Sequence, residues 1–197
     1  MLHPTPATSD DSTTFYVARQ PILDERGRVF GYELLYRHAA GATTCTADGD
    51  LASARVLTGA VLDLGLETLT SGRQAFLNVT RPLLLGQLDT LIPPEGVVIE
   101  LLESVAVDEQ VIETCRGLRA KGYQLALDDF VPGSDAEALL PFVSYVKVDV
   151  LATPPSVVNE LAVRLGASDV RLLAEKVESR EVYEQTRGAG YSLFQGY

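Results

Sequence analysis

The sequence predicts an α/β protein built as a modified (β/α)8 TIM-like barrel with an antiparallel first strand. Three observations carry that expectation. Eight strand-like apolar runs occur along the chain, and the later ones alternate with helix-like segments, the pattern of a parallel sheet under covering helices. The first two runs are separated only by Asp24-Glu25-Arg26-Gly27, a turn too short for a crossover, so they form a hairpin. Acids and amides recur where strands end, which is where a barrel keeps its chemistry. A doubly wound open sheet is the alternative, but no Gly-rich dinucleotide loop follows an early strand to favour it.

The elements follow in order. Residues 1–14, rich in Pro, Ser, Thr and Asp, read as a disordered leader, and residues 15–197 as the barrel domain. Phe15–Leu23 and Val29–Arg37 are strands, with Gly27 placed where a positive φ helps the turn. Leu51–Leu69 reads as a helix through Leu57, Val61 and Leu64. Gln74–Val79 is a strand, Pro82–Leu91 a short helix with Pro near its start, and Val97–Leu102 a strand. Glu109–Ala120 is an amphipathic helix: Asp108 caps it, Val111, Ile112, Cys115 and Leu118 form its apolar stripe, and Gly122 stops it. Gln124–Asp129, Tyr145–Val150, Arg171–Val177 and Tyr191–Tyr197 are strands, interleaved with helices at Pro155–Leu165 and Arg180–Arg187. The last helix of a full barrel is missing from this order of elements.

Composition narrows the function. The 197 residues carry 27 acids against 16 bases, a formal charge of −11, which argues against a DNA-binding or anionic-membrane surface. No apolar run reaches the ~18 residues of a membrane span, and no signal peptide opens the chain, so a cytoplasmic protein is expected. Two Cys and two His exclude a disulfide framework and a His-rich zinc centre.

What remains is a set of polar strand ends: Glu33 and Arg37, Asn78, Glu100 and Glu103, Asp128 and Asp129, Lys147 and Asp149, Glu175 and Glu178, and Gln195. In Val146-Lys147-Val148-Asp149-Val150 the period of two puts Lys147 and Asp149 on one face and the three Val on the other. The Val face suits covering helices, so the charged face looks into the lumen. Oxygen donors without His point to hard cations such as Mg²⁺, Mn²⁺ or Ca²⁺. Such ions serve phosphodiester hydrolysis, with Arg37 suited to a phosphate and Lys147 to orienting water, but equally serve proton abstraction in an enolase-type barrel. A purely structural ion-pair plug is the bland alternative.

The motifs as a set resemble the EAL domains of bacterial cyclic di-GMP signalling, over nearly the whole chain after the leader. Glu33-Leu34-Leu35-Tyr36-Arg37 stands at the EAL signature, with Leu34 in place of Ala. Leu77-Asn78-Val79-Thr80, Glu100-Leu101-Leu102-Glu103, Leu127-Asp128-Asp129-Phe130, Lys147-Val148-Asp149, Ala174-Glu175-Lys176-Val177-Glu178 and Gln195-Gly196-Tyr197 follow in the family's order. The resemblance implies that Glu33, Asn78, Glu100 and Asp128 are metal ligands, with Asp129 at a second metal. It implies that Lys147 and Glu175 contact the metal site or its water, that Gln195 positions that water, and that Arg37 holds a substrate phosphate. The implied cofactor is Mg²⁺ or Mn²⁺, and the implied reaction is cleavage of cyclic di-GMP to linear pGpG.

Departures qualify the reaction. Val131-Pro132-Gly133 replaces a Gly-rich loop after Phe130, and Lys176 replaces a Gly. These resemble the divergent EAL domains that precede HDOD domains. The reading is therefore a regulatory module that binds cyclic di-GMP, a protein partner such as an HDOD domain or a second copy of itself, or both; active phosphodiesterase is the alternative. Strand alternation makes Glu175 inward and Lys176 outward, a surface lysine; the alternative is that Lys176 points into the mouth and neutralises acids where a metal would sit.

Overall fold

The computed structural model describes residues 15–38, 65–86 and 88–196. The expected leader, and most of the expected helix at Leu51–Leu69, lie outside the described residues. The elements are β1 (Phe15–Asp24), β2 (Val29–His38), α1 (Leu66–Thr70), β3 (Gln74–Val79), α2 (Arg81–Leu85), α3 (Leu88–Leu91) and β4 (Val97–Leu101). They continue with α4 (Glu109–Ala120), β5 (Gln124–Leu127), a 3-10 segment (Asp135–Phe142), β6 (Tyr145–Asp149), α5 (Pro155–Leu165), β7 (Arg171–Val177), α6 (Arg180–Ala189) and β8 (Leu193–Gly196).

The eight strands close into one barrel in chain order. β1 runs antiparallel to both β2 and β8, and every other neighbouring pair is parallel. The hairpin turn forms as its residues dictate. Gly27 takes φ 70°. Asp24 accepts hydrogen bonds on one carboxylate oxygen from the backbone N–H groups of Arg26 and Arg28, each at 2.9 Å. Asp108 caps α4 by accepting from the Val111 N–H at 2.9 Å, and its carboxylate also holds Arg81 of α2.

Two elements differ from the sequence expectation. The helix expected over Pro82–Leu91 is two short helices, because Gly86 leaves the helical backbone (φ −75°, ψ −154°). The 3-10 segment was not anticipated. Its Pro141 lacks the N–H an α-helix would use, so the apolar run around Leu139 winds as a tighter coil.

Packing separates two cores. Val146, Val148, Ile99, Leu125, Leu127 and Leu34 face outward and bury against the helices. Leu34, the departure within the signature, thus packs outside the lumen. Inside the barrel, Ile22, Phe76, Val98, Ala126, Tyr145, Leu173 and Leu193 fill the lower lumen, with Phe76 and Tyr145 edge to face at 5.2 Å. Two residues after six of these positions come Asn78, Glu100, Asp128, Lys147, Glu175 and Gln195. A period of two keeps each on the lumen face but one tier nearer the strands' C-terminal ends. An apolar plug therefore carries a polar tier.

Closure between β7 and β8 depends on one glycine. A Cβ on Gly196 would lie 2.1 Å from the Val177 carbonyl oxygen, which is backbone and has nowhere to go. Gly196→Ala is expected to lower stability by about 1–3 kcal/mol, read as a lower urea midpoint. An unchanged midpoint would contradict the register of this closure.

Candidate active site

Lys147 organises the polar tier. Its side chain is 1% exposed, and its ammonium sits among four carboxylates. It bonds Glu100 Oε1, and lies 2.8 Å from Asp128 Oδ1, 3.0 Å from Glu175 Oε1 and 3.5 Å from Glu33 Oε2. Those acids come from β4, the end of β5, β7 and β2, so only the closed barrel assembles them. Burial alone would lower the Lys147 ammonium, but Glu100, Glu175, Glu33 and Asp128 together outweigh it and hold its pKa well above the ordinary value. Four acids around one base leave the tier short of positive charge. Glu100, 0% exposed, is accordingly held well above the ordinary carboxylate range, chiefly by burial and further by Glu33 and Asp128, against the pull of Lys147. Glu175 is pushed up to about 7, again chiefly by burial.

Glu33 orients two amides. Its Oε1 accepts from Asn78 Nδ2 at 2.8 Å and its Oε2 from Gln195 Nε2 at 2.6 Å. With their N–H₂ ends committed to Glu33, both amides leave their oxygens over. Asn78 Oδ1 and Gln195 Oε1 are buried without a hydrogen-bond partner, as are Glu100 Oε2 and Glu175 Oε2.

These oxygens test whether the residues suit a divalent cation. Each buried acceptor without a donor costs about 1–3 kcal/mol, and four of the five among the described residues belong to one tier, the fifth being Gln74 Oε1 at the start of β3. The donor set is oxygen only, as hard cations require, and the surplus negative charge favours the same occupant. Among the described residues no three His, Cys, Asp or Glu side chains form a ready-made cage; the acids are spread around Lys147 instead. In donor chemistry and charge the tier fits a divalent ion.

Thus the structure brings Glu33, Asn78, Glu100, Asp128, Lys147, Glu175 and Gln195 together. Asp129 does not join them. It sits exposed on the rim at φ 42°, with its pKa raised first by burial and then by Asp128. Beside Asp128 and Asp129 a cleft of about 310 Å³ opens, walled by Val105, Phe130 and Val131. The backbone of Arg37 pairs with Tyr16, but its side chain lies outside those described. Glu103 and Glu178 are exposed. Cys115 is buried with its thiol pushed up to about 12 by burial, an inert core group.

At one residue the structure follows the sequence alternative and not the favoured reading. Strand alternation made Lys176 an outward surface residue. A register shift in β7 between Ala174 and Val177 breaks the alternation, and Lys176 takes φ 56° there. Its ammonium turns to Asp149 Oδ2. The signal was local: a Gly of the family pattern, the residue suited to positive φ, is the one Lys176 replaces.

A closed barrel with one reversed strand and an acid, amide and lysine mouth defines a class of fold and site, and comparison with known proteins assigns it. The family model for the EAL domain matches residues 76–197. Cyclic di-GMP phosphodiesterase CdgJ of Vibrio cholerae is 37% identical over 191 residues, covering 95% of this chain and 44% of the relative. Among solved structures, Bacillus subtilis YkuI, a protein with an EAL domain in complex with cyclic di-GMP and calcium, gives a TM-score of 0.77 at 23% identity, covering 93% of this chain and 53% of that one. Klebsiella pneumoniae BlrP1, in a complex with manganese and cyclic di-GMP, gives 0.75 at 23%, covering 98% and 57%. At those identities the structural likeness is one of fold. The chain belongs to the EAL domain family. It spans about half the length of the curated relatives it matches. Among the described residues no helix is long and apolar enough to cross a membrane.

Proposed function

We propose that this domain binds cyclic di-GMP at the polar mouth and hydrolyses it to linear pGpG with Mg²⁺ or Mn²⁺. The observation that carries this reading is the tier itself: four carboxylates around buried Lys147, with four orphaned oxygens on Glu100, Glu175, Asn78 and Gln195. The relative CdgJ, named a cyclic di-GMP phosphodiesterase, supports the substrate. A bound divalent ion would supply Lewis acidity at the scissile phosphate and lower the pKa of water.

Each residue's contribution follows from its contacts. Glu33 holds the Asn78 and Gln195 amides so that oxygen, not N–H₂, remains available. Glu100, Asp128 and Glu175 supply charge, with Asp129 on the rim for a second ion. Lys147, its ammonium shared among Glu100, Asp128 and Glu175, prevents the acids from repelling one another. Arg37, on β2, has the planar fork for a phosphate. Water adds to phosphorus, the ribose 3′ oxygen leaves with a proton, and the ring opens.

Incubation with cyclic di-GMP and Mn²⁺, followed by chromatography, is expected to yield pGpG, and a chelator is expected to stop it. Calorimetric binding without turnover would instead support a second reading. There the domain senses cyclic di-GMP and acts on a partner, an HDOD domain or a second copy. The observation favouring that reading is the loop after Phe130. Val131 is 61% exposed there, and Glu137 pins the loop by accepting from the Gly133 N–H at 2.8 Å and pairing with Arg164 of α5 at 2.9 Å.

A further inference from the structure

We propose that Lys176 is a resident cation of the mouth, one that occupies the Asp149 carboxylate and competes there with a divalent ion. The inference rests on the metal-dependent reading above and concerns how many ions the mouth takes.

The mouth has two tiers of opposite character. The inner tier around Lys147 is short of donors: Glu100, fully buried, keeps Oε2 without a partner. The outer tier is saturated. Asp149 follows Tyr145 and Lys147 on the lumen face of β6 and stands in register with Glu175. Its Oδ1 accepts from the N–H groups of Leu151 and Ala152, both at 2.9 Å, and its Oδ2 holds the Lys176 ammonium. An ion approaching Asp149 therefore meets a carboxylate whose charge is already offset.

The backbone shows that this placement is specific. Lys176 sits in the bulge of β7 with φ 56°, a region L side chains other than Asn and Asp rarely occupy. The bulge turns a residue that alternation would send outward back over the mouth. Its side chain is 56% exposed while that of Asp149 is 11% exposed. Lys176 can thus swing into water when a stronger cation displaces it, whereas Asp149 stays in place. The ammonium neutralises the outer tier without covering the inner one. The consequence is one ion bound readily at the inner tier and a second held back at the outer.

The test is a Mn²⁺ titration of the metal-free domain, counting free Mn²⁺ by electron paramagnetic resonance. Lys176→Asn removes the charge but tolerates the left-handed backbone, so the bulge survives. It is expected to bind a second Mn²⁺ about tenfold more tightly than the parent. Lys121→Met, which removes the same charge from a surface pair with Asp89, is expected to leave Mn²⁺ binding unchanged. If the parent binds Mn²⁺ and Lys176→Asn binds it with the same stoichiometry and affinity, the inference is overturned while the proposed function stands. Weaker binding in Lys176→Asn overturns it too, by making Lys176 a support of the ion. If neither protein binds Mn²⁺, both fail.

Discussion

Lys147→Met is expected to destabilise the domain by about 3–5 kcal/mol, the cost of removing one partner from a buried ionic group. The side chain is nearly the right length for the space, so the loss is electrostatic more than steric. Glu100, Asp128, Glu175 and Glu33 would face one another with no ammonium between them. pH supplies the sign check. In the parent, burial already raises Glu175 from 4.5 to about 7. A carboxyl raised in the folded state contributes stability that is present below its unfolded pKa and lost as pH climbs through the folded one. Removing Lys147 raises these acids further, so the deficit is largest above about pH 7 and shrinks towards pH 4.5. Urea unfolding at both ends of that window measures it. A variant as stable as the parent at neutral pH would mean that the acids do not depend on Lys147.

Glu33→Gln is expected to behave in the opposite way, keeping the fold and losing the chemistry. Glu33 accepts from Asn78 and Gln195 on its two oxygens. A glutamine has one oxygen and one N–H₂, so one neighbouring amide must turn over and bring its own N–H₂ away from Glu33. That amide then offers a donor where the tier needs an acceptor. Mn²⁺ affinity and pGpG formation are expected to fall by about 10–100-fold, the usual effect of disturbing a group that orients metal ligands. Stability is expected to hold or rise, because one of the four carboxylates around Lys147 becomes neutral. A variant that unfolds, or one that binds and turns over like the parent, would remove Glu33 from this role. The two substitutions together separate a structural plug from a working site. A plug would lose stability in both, whereas a site loses stability in one and chemistry in the other.

Much of this was legible in the chain. Phe76 and Asn78, Val98 and Glu100, Tyr145 and Lys147, Leu173 and Glu175, and Leu193 and Gln195 each place an apolar and a polar residue two apart. Strand periodicity alone sends both to the lumen, the second nearer the mouth. The hairpin was legible because Asp24 and Gly27 write its turn locally. The break at Gly86 and the 3-10 segment before Val143 were less so: Gly86 and Pro141 mark an interruption locally, but not the backbone that results from it.

The sequence by itself determined which residues line the barrel and which end each strand, because alternation is a property of neighbours. Only the tertiary structure decided which side chains meet. That Lys147 faces four acids from four strands follows from closure and stagger, which bring it to Glu33 across 114 positions and Gln195 to Glu33 across 162. That Asn78 and Gln195 share Glu33 follows from the same closure. And that Lys176 reaches Asp149 follows from one register shift, which reverses the direction in which a strand residue points. Periodicity is read along the chain; ion pairing is decided across it.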